Sequence, residues 1–102
     1  MSGPRFTVTL SPEAERDYDE LLLYGLLNWG EQQMLRYQES LDRAIEHLGD
    51  FPEIGPQRDD LCARCRLLPV EHHALYYRIE ADAIQVVRIL HERADAARHL
   101  PR

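Results

Sequence analysis

Two cysteines three residues apart, Cys62 and Cys65, precede an adjacent histidine pair, His72 and His73, in the stretch CARCRLLPVEHHALYYR (62–78). Thiolates and imidazoles are zinc ligands, and a Cys-x-x-Cys pair can also cycle between dithiol and disulfide. Both chemistries require the side chains to converge. The alternation around the cysteines predicts an extended strand over about 61–68, which sends Cys62 and Cys65 to opposite faces. At about 3.3 Å per residue their Cα atoms would stand roughly 10 Å apart, beyond the ~7 Å that an unstrained disulfide spans. His72 and His73 diverge in the same way. A redox pair also commonly opens a helix, and no helix pattern occurs here. The expectation is no metal site and no cofactor, with Cys65 a small buried apolar residue and Cys62 incidental.

What alternation gathers instead is arginine. Cys62, Arg64, Arg66 and Leu68 share one face of this strand, and Leu61, Ala63, Cys65 and Leu67 share the other. In a second strand, about 73–79, Leu75, Tyr77 and Ile79 oppose Ala74, Tyr76 and Arg78. In a third, about 84–90, Val87 and Ile89 oppose Val86, Arg88 and Leu90. If the apolar sets pack inward, Arg64, Arg66, Arg78 and Arg88 collect beside Tyr76 on an open sheet face. Metal-free RNA cleavage would need such cations for the phosphorane, with a base and an acid that His73, His91, Glu71 or Glu92 could supply. No fixed spacing pairs these groups. No glycine-rich phosphate loop or serine or cysteine nucleophile with a histidine partner is evident. His91 and Asp95 read as turn and tail anchors.

The elements that position these residues begin with FTVTL (6–10), whose Phe6, Val8 and Leu10 share one face of a short strand. Ser11-Pro12 starts a helix: serine caps the open N–H groups, and proline fits the first helical position. Ala14, Tyr18, Leu21, Leu22, Gly25 and Trp29 recur at helical spacing to about Trp29. Gly30 then breaks the chain, and Met34, Tyr37, Leu41, Ala44, Ile45 and Leu48 continue the pattern to Gly49. The short connection makes an antiparallel helical hairpin. GDFPEIGPQRDD (49–60) has no periodicity and is a loop. Glu80-Ala81-Asp82 joins the last two strands, and DAARHL forms a closing helical turn. The predicted fold is α+β, in the order β-α-α-β-β-β, with the hairpin on one face of a mostly antiparallel sheet, a short helical tail and the other face at least partly open.

Length and charge narrow the function. The 102 residues form one domain, 1–102, and none of its apolar stretches is long enough to span a membrane. MSGPRFTVTL has no apolar signal core, so with two cysteines the chain is expected in the reducing cytoplasm. Residues 1–60 carry 5 arginines against 13 acids and residues 61–102 carry 7 against 5, with no lysine anywhere. That acidic first half argues against a surface that wraps nucleic acid.

The joint order of SPEAERDYDEL, NWGEQQMLRYQESL, FPEIG, RLLPV, YYRI and VVRILHERAD resembles the ParE toxins of the RelE/ParE superfamily, over nearly the whole chain. The resemblance implies a non-enzymatic inhibitor of DNA gyrase, held inactive by a ParD-like antitoxin whose C-terminal segment folds onto the toxin. It implies contact with DNA only through antitoxin or gyrase. The resemblance does not fix the gyrase contacts; the basic sheet side and tail, Arg64, Arg66, Arg78, Arg88 and Arg93, are where they are expected. Antitoxin contact is assigned to Leu23, Leu26 and Tyr37, which sit off the main apolar stripes. The RelE branch, whose members cleave mRNA on the ribosome, is the alternative. The tail HERADAARHLPR lacks that branch's late tyrosine, and the sheet lacks lysine. A homodimer of the free chain would use the groove that antitoxin otherwise fills.

Overall fold

A computed structural model describes residues 5–101; residues 1–4 and 102, which include the start of MSGPRFTVTL, lie outside the described residues. The elements are β1 (Thr7–Leu10), α1 (Pro12–Trp29), α2 (Glu31–Asp50), β2 (Arg66–Val70), β3 (His73–Glu80), β4 (Ala83–His91) and α3 (Ala96–His99). This is the expected α+β order. The four strands lie in the order β1-β4-β3-β2. β2, β3 and β4 are antiparallel neighbours, while β1 runs parallel to β4 at the edge.

The helices start and stop where local chemistry requires. Ser11 Oγ accepts from Ala14 N–H at 3.0 Å and donates to the Val87 carbonyl at 2.7 Å. One buried hydroxyl therefore caps α1 and ties it to β4. Ser11→Ala is expected to cost about 1–2 kcal/mol of stability, read as a lowered urea midpoint with unchanged slope. Gly30, at φ 93, lets the chain reverse between α1 and α2. α2 runs through Gly49 to Asp50, and a Cβ on Gly49 would meet the Phe6 carbonyl at 2.9 Å. Glycine there allows α2 to lie against the entry to β1.

The hairpin packs on one sheet face. Ala14, Leu41 and Leu48 from the helices meet Val70, Leu75, Tyr77, Ile84, Val86 and Ile89 from the sheet. Burying this many apolar side chains, each worth roughly 1.5–3 kcal/mol when fully buried, makes this the main core.

The second face is not open. Cys62, Cys65, Ala74, Tyr76, Val87, Leu90, Ala96 and Leu100 form a second buried cluster. The segment before β2 and the C-terminal turn cover it. This overturns the extended reading of 61–65: the strand begins only at Arg66, and residues 62–65 form a turn closed by Cys65 N–H to the Cys62 carbonyl at 3.1 Å. Both cysteines are core residues, so Cys62 is not incidental. The turn buries Cys62 and Cys65, three residues apart, and leaves Ala63 and Arg64 exposed, so the burial departs from strand alternation.

A bulge corrects the reading of β4. The register runs Tyr76↔Arg88 and then Tyr77↔Val86, leaving Val87 unpaired. The extra residue turns Val87 toward the second cluster, while Val86 and Ile89 both face the hairpin. Simple alternation had grouped Val87 with Ile89.

Candidate functional site

The predicted arginine cluster does not form. Arg66 pairs with Tyr77 across the ladder and shares its hairpin side, whereas Arg78 and Arg88 lie on the Tyr76 side. Arg64 stands in the turn before β2, in the left-handed region at φ 56, and Arg93 follows β4; both are exposed. Three of the five guanidinium groups hold the fold together. Arg66 donates to the Gly55 carbonyl at 2.7 Å, and Tyr77 Oη accepts from Gly55 N–H at 2.9 Å and donates to the Pro52 carbonyl at 2.7 Å. Together they fasten the FPEIG loop to the sheet. Arg78 Nε donates to the Ala63 carbonyl at 3.0 Å.

Arg88 has the most built surroundings. It makes two hydrogen bonds to Asp17 of α1, at 2.7 and 2.8 Å, and a third to the His99 carbonyl at 3.1 Å. Asp17 also accepts from the Ile89 backbone N–H at 3.0 Å. The β1–β4 ladder pairs only as far as Val86, and Ile89 lies beyond it. The Asp17 carboxylate therefore satisfies a backbone donor where the strand partner has ended. Its partner raises the Arg88 pKa further, chiefly through the hydrogen bond to Asp17.

A groove opens between the turn end of the hairpin and the end of the sheet. Its volume is about 410 Å³, and its lining includes Leu22, Tyr24, Trp29, Met34, Tyr37 and His73. Gly25 lies against Met34 at 3.9 Å from a built Cβ, which lets the two helices close on each other at the groove floor. Beyond this point every residue from Leu26 to Gln33 is exposed. Leu27 is 75% exposed, Trp29 68% and Leu23 55%, with Tyr24, Leu26 and Leu35 also open to solvent. Six large apolar side chains on one hairpin end, beside an apolar groove, mark an interaction surface.

Of the three positions assigned to a partner, Leu23 and Leu26 stand on this exposed surface, and Tyr37 is half-buried in the groove wall. Leu27, Tyr24, Trp29 and Leu35 share this exposure and were not singled out for a partner from the sequence. Leu27 was legible as the residue one helical turn after Leu23. Trp29 had been counted in the packed stripe of α1, but it lies at the hairpin end, where no residue is buried.

The polar wall of the groove carries the histidines. Tyr37 Oη is hydrogen-bonded to His73 Nδ1 and lies 3.3 Å from the Val70 carbonyl. His73 meets His91 edge to face at 5.3 Å between ring centres. His72 stands 3.5 Å from Glu92. His91 Nδ1 accepts from Arg93 N–H at 3.1 Å, in keeping with a turn anchor, while Asp95 contributes only its carbonyl, to Arg98 N–H. Burial first, then Glu71, pushes the Tyr37 hydroxyl up to about 12. Burial first, then His91 and His72, lowers His73 below its ordinary 6.5. The groove lining carries His72, His73, His91 and Tyr37 as titratable groups near one another, and no arginine.

The lowered His73 pKa has a definite sign. Below 6.5 the unfolded chain takes up a proton that the folded chain resists. The stability present above that pH is therefore lost as pH falls through the depressed folded value. Melting temperature should drop as pH falls below about 6.5, and His73→Gln should flatten that limb. Parallel curves for the two proteins would contradict the assignment.

Among the described residues, no cluster of three or more His, Cys, Asp or Glu side chains can hold a metal ion, and no helix is long and apolar enough to cross a membrane. With fold and groove in view, comparison with known proteins is decisive. Residues 8–96 match the model of the ParE toxin of the type II toxin–antitoxin system, parDE. The chain belongs to the ParE toxin family. Toxin ParE1 of Mycobacterium tuberculosis is 35% identical over 92 residues, covering 89% of this chain and 94% of that toxin. Toxin ParE1 of Caulobacter vibrioides is 30% identical over 91 residues, with the same coverage of both chains. A solved chain described as the chromosomal ParDE TA system from P. aeruginosa shares this ParE fold, with a TM-score of 0.74 at 18% identity over 85% of this chain and 96% of that one. As a ParE member, the chain is the toxin component of a type II toxin–antitoxin system.

Proposed function

We propose that this toxin arrests growth by binding DNA gyrase rather than by cleaving RNA, and that a ParD-like antitoxin silences it through the hairpin groove. The observation that carries the second half is the exposed apolar end of the hairpin. Tyr24 and Trp29 line a groove large enough for side chains of an amphipathic segment, and Leu23, Leu26, Leu27 and Leu35 are exposed on the same end of the hairpin. A mobile antitoxin tail would bury them and fold as it did so. The free toxin would pair through the same surface as a homodimer.

Family membership supports the gyrase half, and the dispersal of the arginines supports a non-enzymatic mode. Arg66 and Arg88 are occupied within the fold. Arg78 is engaged by the Ala63 carbonyl through Nε, which leaves Arg64 and Arg93 as the more open cations for a target. Contact with DNA follows indirectly, through antitoxin or gyrase, and the site of action is the cytoplasm.

Expression of the chain alone in a bacterial host tests the reading. The expected result is growth arrest with relaxed plasmid and uncut mRNA, reversed by a co-expressed ParD-like antitoxin. Arrest with normal supercoiling and codon-positioned mRNA cuts would establish the RelE-like endoribonuclease reading instead.

A further inference from the structure

The turn before β2 brings together two groups that neither the groove nor the target reading uses. Cys62 and Cys65 are free thiols, buried side by side in the second core with Ala74, Tyr76, Val87 and Leu90. The hydrogen bond from Cys65 N–H to the Cys62 carbonyl closes a four-residue turn. Such a turn holds its first and last Cα atoms within about 7 Å, a span that covers the usual separation in a disulfide. Arg64, at φ 56, supplies the left-handed step that reverses the chain between them.

Other bonds fix this turn before any sulfur–sulfur bond exists. Arg58 N–H donates to the Cys65 carbonyl at 2.6 Å, and Arg64 N–H donates to Asp59 Oδ1 at 3.1 Å. The pair is therefore preorganised by its backbone. Burial, followed by the adjoining Cys62 side chain, pushes the Cys65 thiol up to about 12. Cys65 is fully buried, while Cys62 keeps slight exposure. Cys62 is then the sulfur that meets an external reagent.

We infer that Cys62 and Cys65 form a reversible redox site, a dithiol that a small-molecule disulfide such as glutathione disulfide closes to an intramolecular bond. In the first step the Cys62 thiolate attacks one sulfur of the external disulfide. A mixed disulfide forms and one thiol leaves, taking up a proton. Cys65 then gives up its proton and attacks Cys62 Sγ, which forms the Cys62–Cys65 bond and releases the second thiol. Two electrons pass from the protein to the external disulfide, and the two protein thiol protons end on the released thiols. Because the turn already exists, the closed form keeps the fold. It tethers the segment that carries Arg64 and the Ala63 carbonyl on which Arg78 rests. The site is independent of what the hairpin groove binds.

Arg64 makes the bond easy to read, since trypsin cuts between the two cysteines. The full-length reduced chain is incubated natively with excess glutathione disulfide, alkylated in denaturant and digested without reductant. The expected result is loss of both thiols together, with DDLCAR and CR recovered as one linked peptide, an unchanged circular dichroism spectrum and full reversal by dithiothreitol. Cys62→Ser and Cys65→Ser should each abolish the linked peptide; if either variant fails to fold, the wild-type map together with migration as a monomer on a non-reducing denaturing gel suffices. Intact thiols in the folded chain, a glutathione adduct that persists at Cys62, or a bond between two chains would each overturn the inference.

Discussion

Asp17→Ala lowers stability by about 3 kcal/mol, which for a domain of this size is a fall of roughly 15 °C in melting temperature. The expectation rests on what the substitution abandons. The Asp17 and Arg88 side chains are only 11% and 21% exposed, so neither recovers full hydration when its partner goes. Loss of the carboxylate leaves a partly buried guanidinium with only the His99 carbonyl, and the Ile89 N–H with no acceptor. Three donors without an acceptor, two of them on an unpaired cation, are worse than a missing contact. Asp17→Asn keeps one acceptor and should lose about half as much. Replacing both partners, Asp17→Leu with Arg88→Met, should recover much of the loss, because no charge is then stranded. Thermal melts of the four proteins decide it. Equal melting temperatures for wild type and Asp17→Ala would mean that this corner is solvated and the pair contributes little.

The second large effect concerns association. Leu27→Glu combined with Trp29→Glu is expected to weaken a ParD-like antitoxin that binds the wild-type toxin by ~100-fold or more, since central apolar anchors typically contribute 2 kcal/mol or more each. Both residues are already in water in the free chain. Its stability should therefore stay within about 0.5 kcal/mol of wild type. That separation matters, because a groove mutant that unfolds says nothing about binding. Leu23→Ala and Leu26→Ala should show smaller losses, because each trims one apolar side chain and introduces no charge. Calorimetric titration alongside a denaturant melt gives both quantities. Undiminished affinity in the double variant would place the antitoxin elsewhere.

The sequence made the scaffold readable where one physical rule governed each residue. Ser11-Pro12 set the start of α1, Gly30 broke the hairpin, and the alternation of Leu75, Tyr77 and Ile79 described β3 correctly. The rule failed where a residue's face depended on its neighbour strand. A single bulge at Val87 reassigned one side of β4, and a one-sequence pattern carries no sign of where a ladder slips. The Cys62–Cys65 turn was misread for a related reason. Small apolar residues close in sequence suggest a strand, but they also serve a loop that plugs a sheet face, here with Cys62 and Cys65 buried three apart. The arginines were misjudged because alternation says which way a side chain leaves the backbone, not what it reaches. Arg66 folds back onto the FPEIG carbonyls, and Arg88 reaches to Asp17, more than seventy residues earlier in the chain.

The exposed hairpin end shows the limit from the other side. Tyr24, Leu27, Trp29 and Leu35 follow helical spacing as well as core residues do. Only the finite length of the sheet beneath them decides that they have nothing to pack on. Apolar side chains left over by a fold in this way are the feature that a partner segment can use.

The central claim is that the toxin acts on gyrase by binding and has no need to cut RNA. The most direct measurement is ATP-dependent supercoiling of relaxed plasmid by purified gyrase, titrated with the purified toxin alone and with toxin premixed with antitoxin. The account predicts dose-dependent loss of supercoiling that premixing restores, with no cleavage of mRNA in a parallel translation reaction. Full supercoiling at saturating toxin, together with mRNA cleaved on the ribosome, would contradict it.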